Sequence, residues 1–474
     1  MNTNIAYVVI ASLLVMVFLI TRNIKTVDSE YFVLDKTEKT FGLTMSFYAS
    51  GMGLWILTSP AEVAWYGLGY DIYGYAISAA TPFILIYIFG PKISKLLPNG
   101  VTLAQFVEKK YGSVAQKIVS LVAVIYMSAF LIAEFASISY LFEAISDVSG
   151  IVVAALVAAT TFLYLNKSGF KASYLTDKIQ GIGIILLLIF LFSIWFSQNS
   201  ISEIADFAML GGLNTFETYS LKSALAVIIA VTAAEIFSTG YWQRTFSAMN
   251  ETTIKKASIY SGFGVFITIL LLGIAGAVGA GKGLEIPTLS FINQLSLNSM
   301  TVLVLISLAT LLVTSSVDTL ENAISSTISI DLIKKGSREA NNITLLVIIL
   351  ALFASTRVTN IFTVFLVADL LATSLVFPAF YRIKKTSKDI LLVLPFVGSI
   401  ISVLVYRYLF IVKYNSCEYW FSFFKRGCYV NKLPENPGGL FIPTDLYGLA
   451  DLNTFAVALV SSIIITFVAD RFTK

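Results

Sequence analysis

Apolar residues run through the chain in thirteen blocks long enough to cross a bilayer: 5–21, 40–66, 70–91, 115–142, 148–165, 173–197, 221–243, 257–280, 298–333, 341–356, 361–381, 389–412 and 452–469. A helical span needs about 20 residues at 1.5 Å each. The 298–333 block exceeds that, so it must tilt, bend or project beyond the bilayer. One long hydrophilic insertion, 413–450, interrupts the pattern. It carries the turn-rich run Pro434-Glu-Asn-Pro437-Gly-Gly.

Composition agrees with this pattern. Of 474 residues, 57% are hydrophobic and 13% charged, where a soluble domain has about 45–50% and 25%. Mean hydropathy is +0.83. A soluble chain could not cover its surface with so few charges. The pattern predicts an all-α polytopic membrane protein and excludes a secreted enzyme, a Rossmann-type enzyme and a nucleic-acid binder. The lipid bilayer is its main partner; neither a nucleic acid nor an obligate protein partner is expected. The net charge of +4 matters less than its placement. With the N-terminus outside, the cytoplasmic segments hold 24 of the 32 Lys and Arg residues. This predicts N-outside, C-inside in the plasma membrane. The first block lacks a basic lead and reads as a retained helix. Histidine is absent, so a proton relay would need carboxylates. Cys417 and Cys428 lie in the outer insertion, where they are either a disulfide or two free thiols.

The spans divide the chain into 1–39 (an extra helix and linker), 40–197 (five spans), 198–220 (a polar outer loop), 221–383 (five more spans) and 384–474 (two helices with the cysteine-bearing loop). An odd number of spans per unit makes the second unit inverted relative to the first. Substrate sites of inverted repeats lie between the units, near the midplane.

Chemistry concentrates in two spans. The second reads FGLTMSFYASGMGLWILTSPAEVAWYGLGY from Phe41, with Gly51-Met52-Gly53 near its middle and Pro60 after it. Gly and Pro weaken a helix, and carbonyls freed inside a membrane need a partner such as a cation. Close helix packing plus a proline kink is the alternative. The ninth span holds LVTSSVDTLENAISSTISIDLIKK from Leu312, rich in hydroxyls. There Ser315, Thr319 and Asn322 share one face at i, i+4 and i+7. Hydroxyls near Asp318 and Glu321 suit a hard monovalent cation, or serve as polar glue between helices. Glu62, Glu134, Asp177, Glu235, Asp318, Glu321 and Asp369 all fall inside predicted spans, where each acid costs about 2.5–3.5 kcal/mol at a helix centre. So many point to a transporter or channel with a polar path. Asp177, beside Lys178, is placed at the cytoplasmic end of its helix. No P-loop, K⁺-channel filter, zinc-protease motif or nucleophile elbow occurs, so an ion gradient would supply the energy.

Five segments resemble the sodium:solute symporter family: EYFVLDKTEKTFGLTMSFYAS from Glu30, PNGVTLAQFVEKKYG from Pro98, YLTDKIQG from Tyr174, YWQRTFSA from Tyr241 and SSVDTLENAISSTISIDLIKK from Ser315. They stand in the family's order, from about Tyr31 to Arg382. The resemblance implies a LeuT-type core of five plus five inverted helices and Na⁺ as coupling ion, without an organic cofactor. It implies a sodium site between core helices one and eight, with carbonyls of Ala49, Met52 and Leu312 and hydroxyls of Ser315 and Ser316. Asp177, Asp318 and Thr319 would support the ion path. The implied substrate cavity draws on Gly53, Trp55, Ile56, Glu134, Ser238, Thr239 and Tyr241. Where the family often has an Asn and an aromatic gate, this chain has Ser238 and Gly240. LTSPAEVAWYGLGYDIYGYA from Leu57 and the Tyr-Trp-Gln-Arg run resemble the urea-transporter branch, while the Asp318-Thr319-Leu320-Glu321-Asn322 run departs from it.

The expectation is thus secondary active symport of a small organic solute with sodium, urea first and proline second, and no enzymatic activity. Two competitors remain: proton coupling through Glu134, Glu235 or Asp318, and a sensor or passive channel on the same scaffold.

Overall fold

The computed structural model describes residues 3–24, 30–146, 148–358, 361–424, 440–445 and 449–472. Their regular structure is helical, with two isolated bridges and no strand among the described residues. The helices are α1 (Thr3–Thr21), α2 (Thr40–Gly51), α3 (Ser59–Tyr66), α4 (Gly69–Leu96), α5 (Leu103–Tyr111), α6 (Ser113–Ile145), α7 (Gly150–Gln198), α8 (Ile201–Leu210), α9 (Thr218–Glu235), α10 (Thr239–Ser247), α11 (Glu251–Gly281), α12 (Ser299–Thr327), α13 (Ser337–Ser355), α14 (Ile361–Phe380), α15 (Ile390–Phe424) and α16 (Leu452–Phe472).

Ten described helices are long and apolar enough to cross a membrane. Two of the predicted regions have their course set by local backbone breaks. The 148–165 and 173–197 blocks are the two halves of α7, which the non-helical backbone of Gly169 divides into two helices. Gly169 has φ 53°, and a Cβ there would meet the Tyr31 carbonyl at 2.2 Å, so only glycine fits. The 40–66 block is broken into α2, a 3₁₀ turn (Leu54–Leu57) and α3. Met52 and Gly53 leave helical geometry. Pro60 does not kink a helix; it sits in the first turn of α3, where its missing N–H costs nothing.

A second break separates α9 from α10 at Ile236–Ser238, inside a block that read as one continuous span. Neither Gly nor Pro marks it. A side chain takes up one freed carbonyl: Trp242 Nε1 donates to Ile236 O at 2.7 Å. The long 298–333 block becomes α12 followed by a π turn, Ile328–Ile333. Its central window is 78% buried, more than any other span, which places α12 at the heart of the bundle. It packs on α7, α6 and α2.

At the C-terminal side α15 runs to Phe424, past its expected end at 412. Arg407 is fully buried there, and its guanidinium donates to Ile442 O at 2.7 Å and Thr444 O at 3.0 Å. The candidate Cys417–Cys428 bridge involves a cysteine outside the described residues.

Candidate functional site

Three arrangements meet where α2, α6, α7, α9, α10 and α12 converge. The first is a buried polar network. Asp177 and Arg244 are both fully buried and form an ion pair. Asp177 also accepts from Ser46 Oγ at 2.7 Å and from Ser315 Oγ at 2.9 Å. Arg244 donates further to Ser46 Oγ and Thr319 Oγ1, both at 2.8 Å. Asp177 lies about two turns past the break at Gly169; its neighbour Lys178 turns to Glu38 at 3.0 Å, while Asp177 turns inward. Asp318 faces the other way. It accepts from Tyr164 at 2.5 Å, Ser173 at 2.8 Å and Thr176 at 2.9 Å, all on α7.

The second is the break in α2. The last four carbonyls of a helix lack helical partners, and Ala49 is among them; it accepts the Met52 N–H at 3.1 Å. On the neighbouring α12, Ser316 Oγ donates to Leu312 O and Val313 O, each at 3.2 Å. Ser315 Oγ gives its hydrogen to Asp177. Carbonyl and hydroxyl oxygens keep lone pairs after one hydrogen bond, so this donor set fits a hard monovalent cation. Among the described residues no cluster of three or more Cys, Asp or Glu offers a multivalent metal a home.

The third is a cavity beside the break. Its lining includes Trp55, Tyr75, Tyr126, Tyr241, Glu235 and Asp369. The volume open to water centres is about 40 Å³, where one water needs about 10–15 Å³. Aromatic rings wall it: Trp55 stands edge-on to Tyr75, Phe130 and Phe365 at 6.1–6.2 Å. No Lys or Arg is among its lining residues. Glu235 and Asp369 lie within electrostatic reach of each other. The hydroxyls of Tyr126 and Tyr241 approach Glu235. Asp369 is buried, and its Oδ2 has no partner among the described residues, nor has Trp55 Nε1. A smaller annex adds Ser50, Ser238 and Thr319. Thr319 thereby joins the cavity to the Arg244–Asp177 network.

Of the residues the sequence offered for this cavity, Trp55 and Tyr241 line it and Ser238 lines the annex. Gly53, Ile56, Glu134 and Thr239 do not. Ile56 is fully buried in the core. Thr239 bonds Thr327 at 2.7 Å, tying α10 to α12. Glu134 stands behind the break, its Oε2 accepting the Leu54 N–H at 2.9 Å. Ser46 and Tyr126 carried no signal in the sequence. Glu235 and Asp369 did, as acids inside spans, but nothing joined them into one cavity.

No family model matches the chain. It is 24% identical over 371 residues to the spermidine transporter DUR31 of Candida albicans, spanning 76% of this chain and 70% of that one. Among solved structures, a Na⁺-coupled sialic acid symporter in a substrate-bound outward-open state superposes with a TM-score of 0.73 at 15% identity, over 99% of this chain and 97% of the other. Mhp1, a nucleobase-cation-symport-1 family transporter, superposes with a TM-score of 0.57 at 11% identity, over 94% and 95%. The chain is a multi-span membrane protein with the LeuT-type transporter fold. The proteins it resembles are transporters, not enzymes.

Proposed function

We propose that the protein carries a small organic amine cation across the plasma membrane in symport with sodium, by alternating access, its N-terminus outside and its C-terminus in the cytoplasm. The carrying observation is the cavity: two carboxyl groups, one with a free oxygen, in an aromatic box without a basic residue. A buried carboxylate needs a counter-charge. An ammonium group supplies it and also binds ring faces. The spermidine-transporting relative supports the same solute class. Carbonyls of Ala49, Met52 and Leu312 and hydroxyls of Ser315 and Ser316 would hold the sodium ion, whose inward gradient supplies energy. The annex residue Thr319 links solute and ion sites through Arg244.

Urea is the second reading, favoured by the unpartnered Trp55 Nε1. A free donor beside a free acceptor suits a neutral solute with both a carbonyl and amide hydrogens. Proline lacks a specific observation in its favour.

Uptake into proteoliposomes at clamped potential decides. The clamp matters, because each positive charge crossing 100 mV gains about 2.3 kcal/mol unaided. Labelled spermidine and urea are offered with an inward sodium gradient or with choline. Sodium-dependent, saturable accumulation of spermidine is the expected result. Accumulation of urea alone selects the second reading. Acid-driven accumulation in choline selects proton coupling, and non-saturable equilibration a channel. Ser315→Ala and Ser316→Ala are each expected to raise the sodium concentration for half-maximal uptake. Unchanged sodium dependence in both would remove these serines from the ion site.

A further inference from the structure

Glu134 is used by none of the arrangements above. It lies in the middle of α6 and is fully buried. Its carboxylate sits at the break between α2 and α3. Oε2 accepts the Leu54 N–H at 2.9 Å, and the Trp55 backbone N–H also approaches it. Ser316 of α12 also lies near the carboxyl group. Oε1 has no partner among the described residues. No Lys or Arg pairs with Glu134 among the described ion pairs; the buried Arg244 is taken by Asp177.

Gly53 shows that the space for Oε1 is reserved. A Cβ at that position would stand 1.6 Å from Oε1. Its φ of −86° is open to any residue, so conformation does not demand glycine here; the carboxylate oxygen does. A carboxyl that only capped the turn would need one oxygen, and a shorter polar residue could supply it. The second oxygen is left without a partner beside the unwound backbone at Gly53.

We propose that Glu134 is a direct ligand of the coupling cation. Oε2 is fixed on the unwound backbone, and Oε1 joins Ser316 and the freed carbonyls in an oxygen shell that carries its own negative charge. The inference rests on the sodium reading above. It makes α6 a third wall of the ion site and places the ion's counter-charge on the helix that also lends Tyr126 and Phe130 to the solute cavity. Filling of the ion site is then felt directly by the solute site.

The test is sodium binding by the purified full chain, read as the rise in Tm with NaCl at constant ionic strength, choline replacing sodium. Glu134→Gln keeps the shape and an oxygen for the Leu54 N–H but removes the charge. Its sodium midpoint is expected to rise at least about tenfold, as loss of a charged partner implies. Gly53→Ala, which displaces Oε1 without touching its charge, is expected to shift the midpoint in the same direction. A purely capping role predicts a lower Tm without sodium and an unchanged midpoint, and that result overturns the proposal. If Glu134→Gln does not fold, Glu134→Asp decides: the charge stays, the reach shortens, and an unchanged midpoint again overturns it. A wild-type protein with no sodium response removes the sodium reading and this proposal together. A responding wild type with indifferent variants removes this proposal alone.

Discussion

Asp369→Asn and Glu235→Gln will each cut spermidine uptake by about a hundredfold or more at low substrate concentration. In each variant one ammonium group loses its counter-charge inside a cavity walled by Trp55, Tyr75, Tyr126 and Tyr241. Removing one partner of a desolvated ion pair costs about 3–5 kcal/mol, and 1.4 kcal/mol is a factor of ten. The loss belongs in KM for the amine, because the rest of the ion network is untouched. Asp369 is the sharper probe of the two. Its free Oδ2 makes no bond that holds the fold, so Asp369→Asn should leave Tm near the wild type. Urea as solute gives a different result. Asn still accepts a hydrogen bond from an amide hydrogen, and a neutral bond contributes about 1 kcal/mol, so urea uptake would fall only several-fold. A hundredfold loss for spermidine beside a small one for urea identifies the cavity as an amine site. A small effect on both would place the solute elsewhere.

The legible parts of this molecule are those with a local cause. Gly51 and Gly53 announce the break in α2 because they weaken the helix at their own positions. The i, i+4, i+7 face of Ser315, Thr319 and Asn322 holds as a face. Ser315 reaches Asp177 at 2.9 Å, Thr319 accepts from Arg244 at 2.8 Å, and Asn322 meets Gln243 at 3.4 Å. The break between α9 and α10 was not legible, since Ile236, Phe237 and Ser238 have no local reason to leave a helix. Its Ile236 carbonyl is satisfied by the Trp242 indole, a partnership that only the folded chain reveals. The same holds for azimuth. A carboxylate inside a span reads as functional, but a sequence does not say which way it points. Hence Glu134, expected in the cavity, stands behind the break, and Asp177, read toward the cytoplasmic end of its helix beside Lys178, turns inward to Arg244. The aromatic box is the extreme case, drawing rings from α4, α6, α10 and α14. No spacing along one segment could have shown it.

Arg244 sets the other large effect. Arg244→Met will leave Asp177 buried without a cation, and Asp177→Leu will leave the guanidinium buried without an anion. Each single change is expected to cost about 3–5 kcal/mol and to lower Tm sharply in detergent. The pair replaced together will recover most of that stability, because two apolar side chains of similar volume carry no desolvation penalty. The order of Tm should be wild type, then the double variant close behind, then the two singles. A double-mutant cycle gives the coupling directly; a coupling below about 1 kcal/mol would show that the pair does not hold this junction. Recovered stability will not bring recovered transport. Ser46, Ser315 and Thr319 are oriented by this ion pair at 2.7–2.9 Å, and Thr319 is the wall shared with the solute annex. The double variant should therefore fold and still fail to couple uptake to sodium. That outcome separates what the charges contribute to holding four helices together from what they contribute to relaying the ion site to the solute.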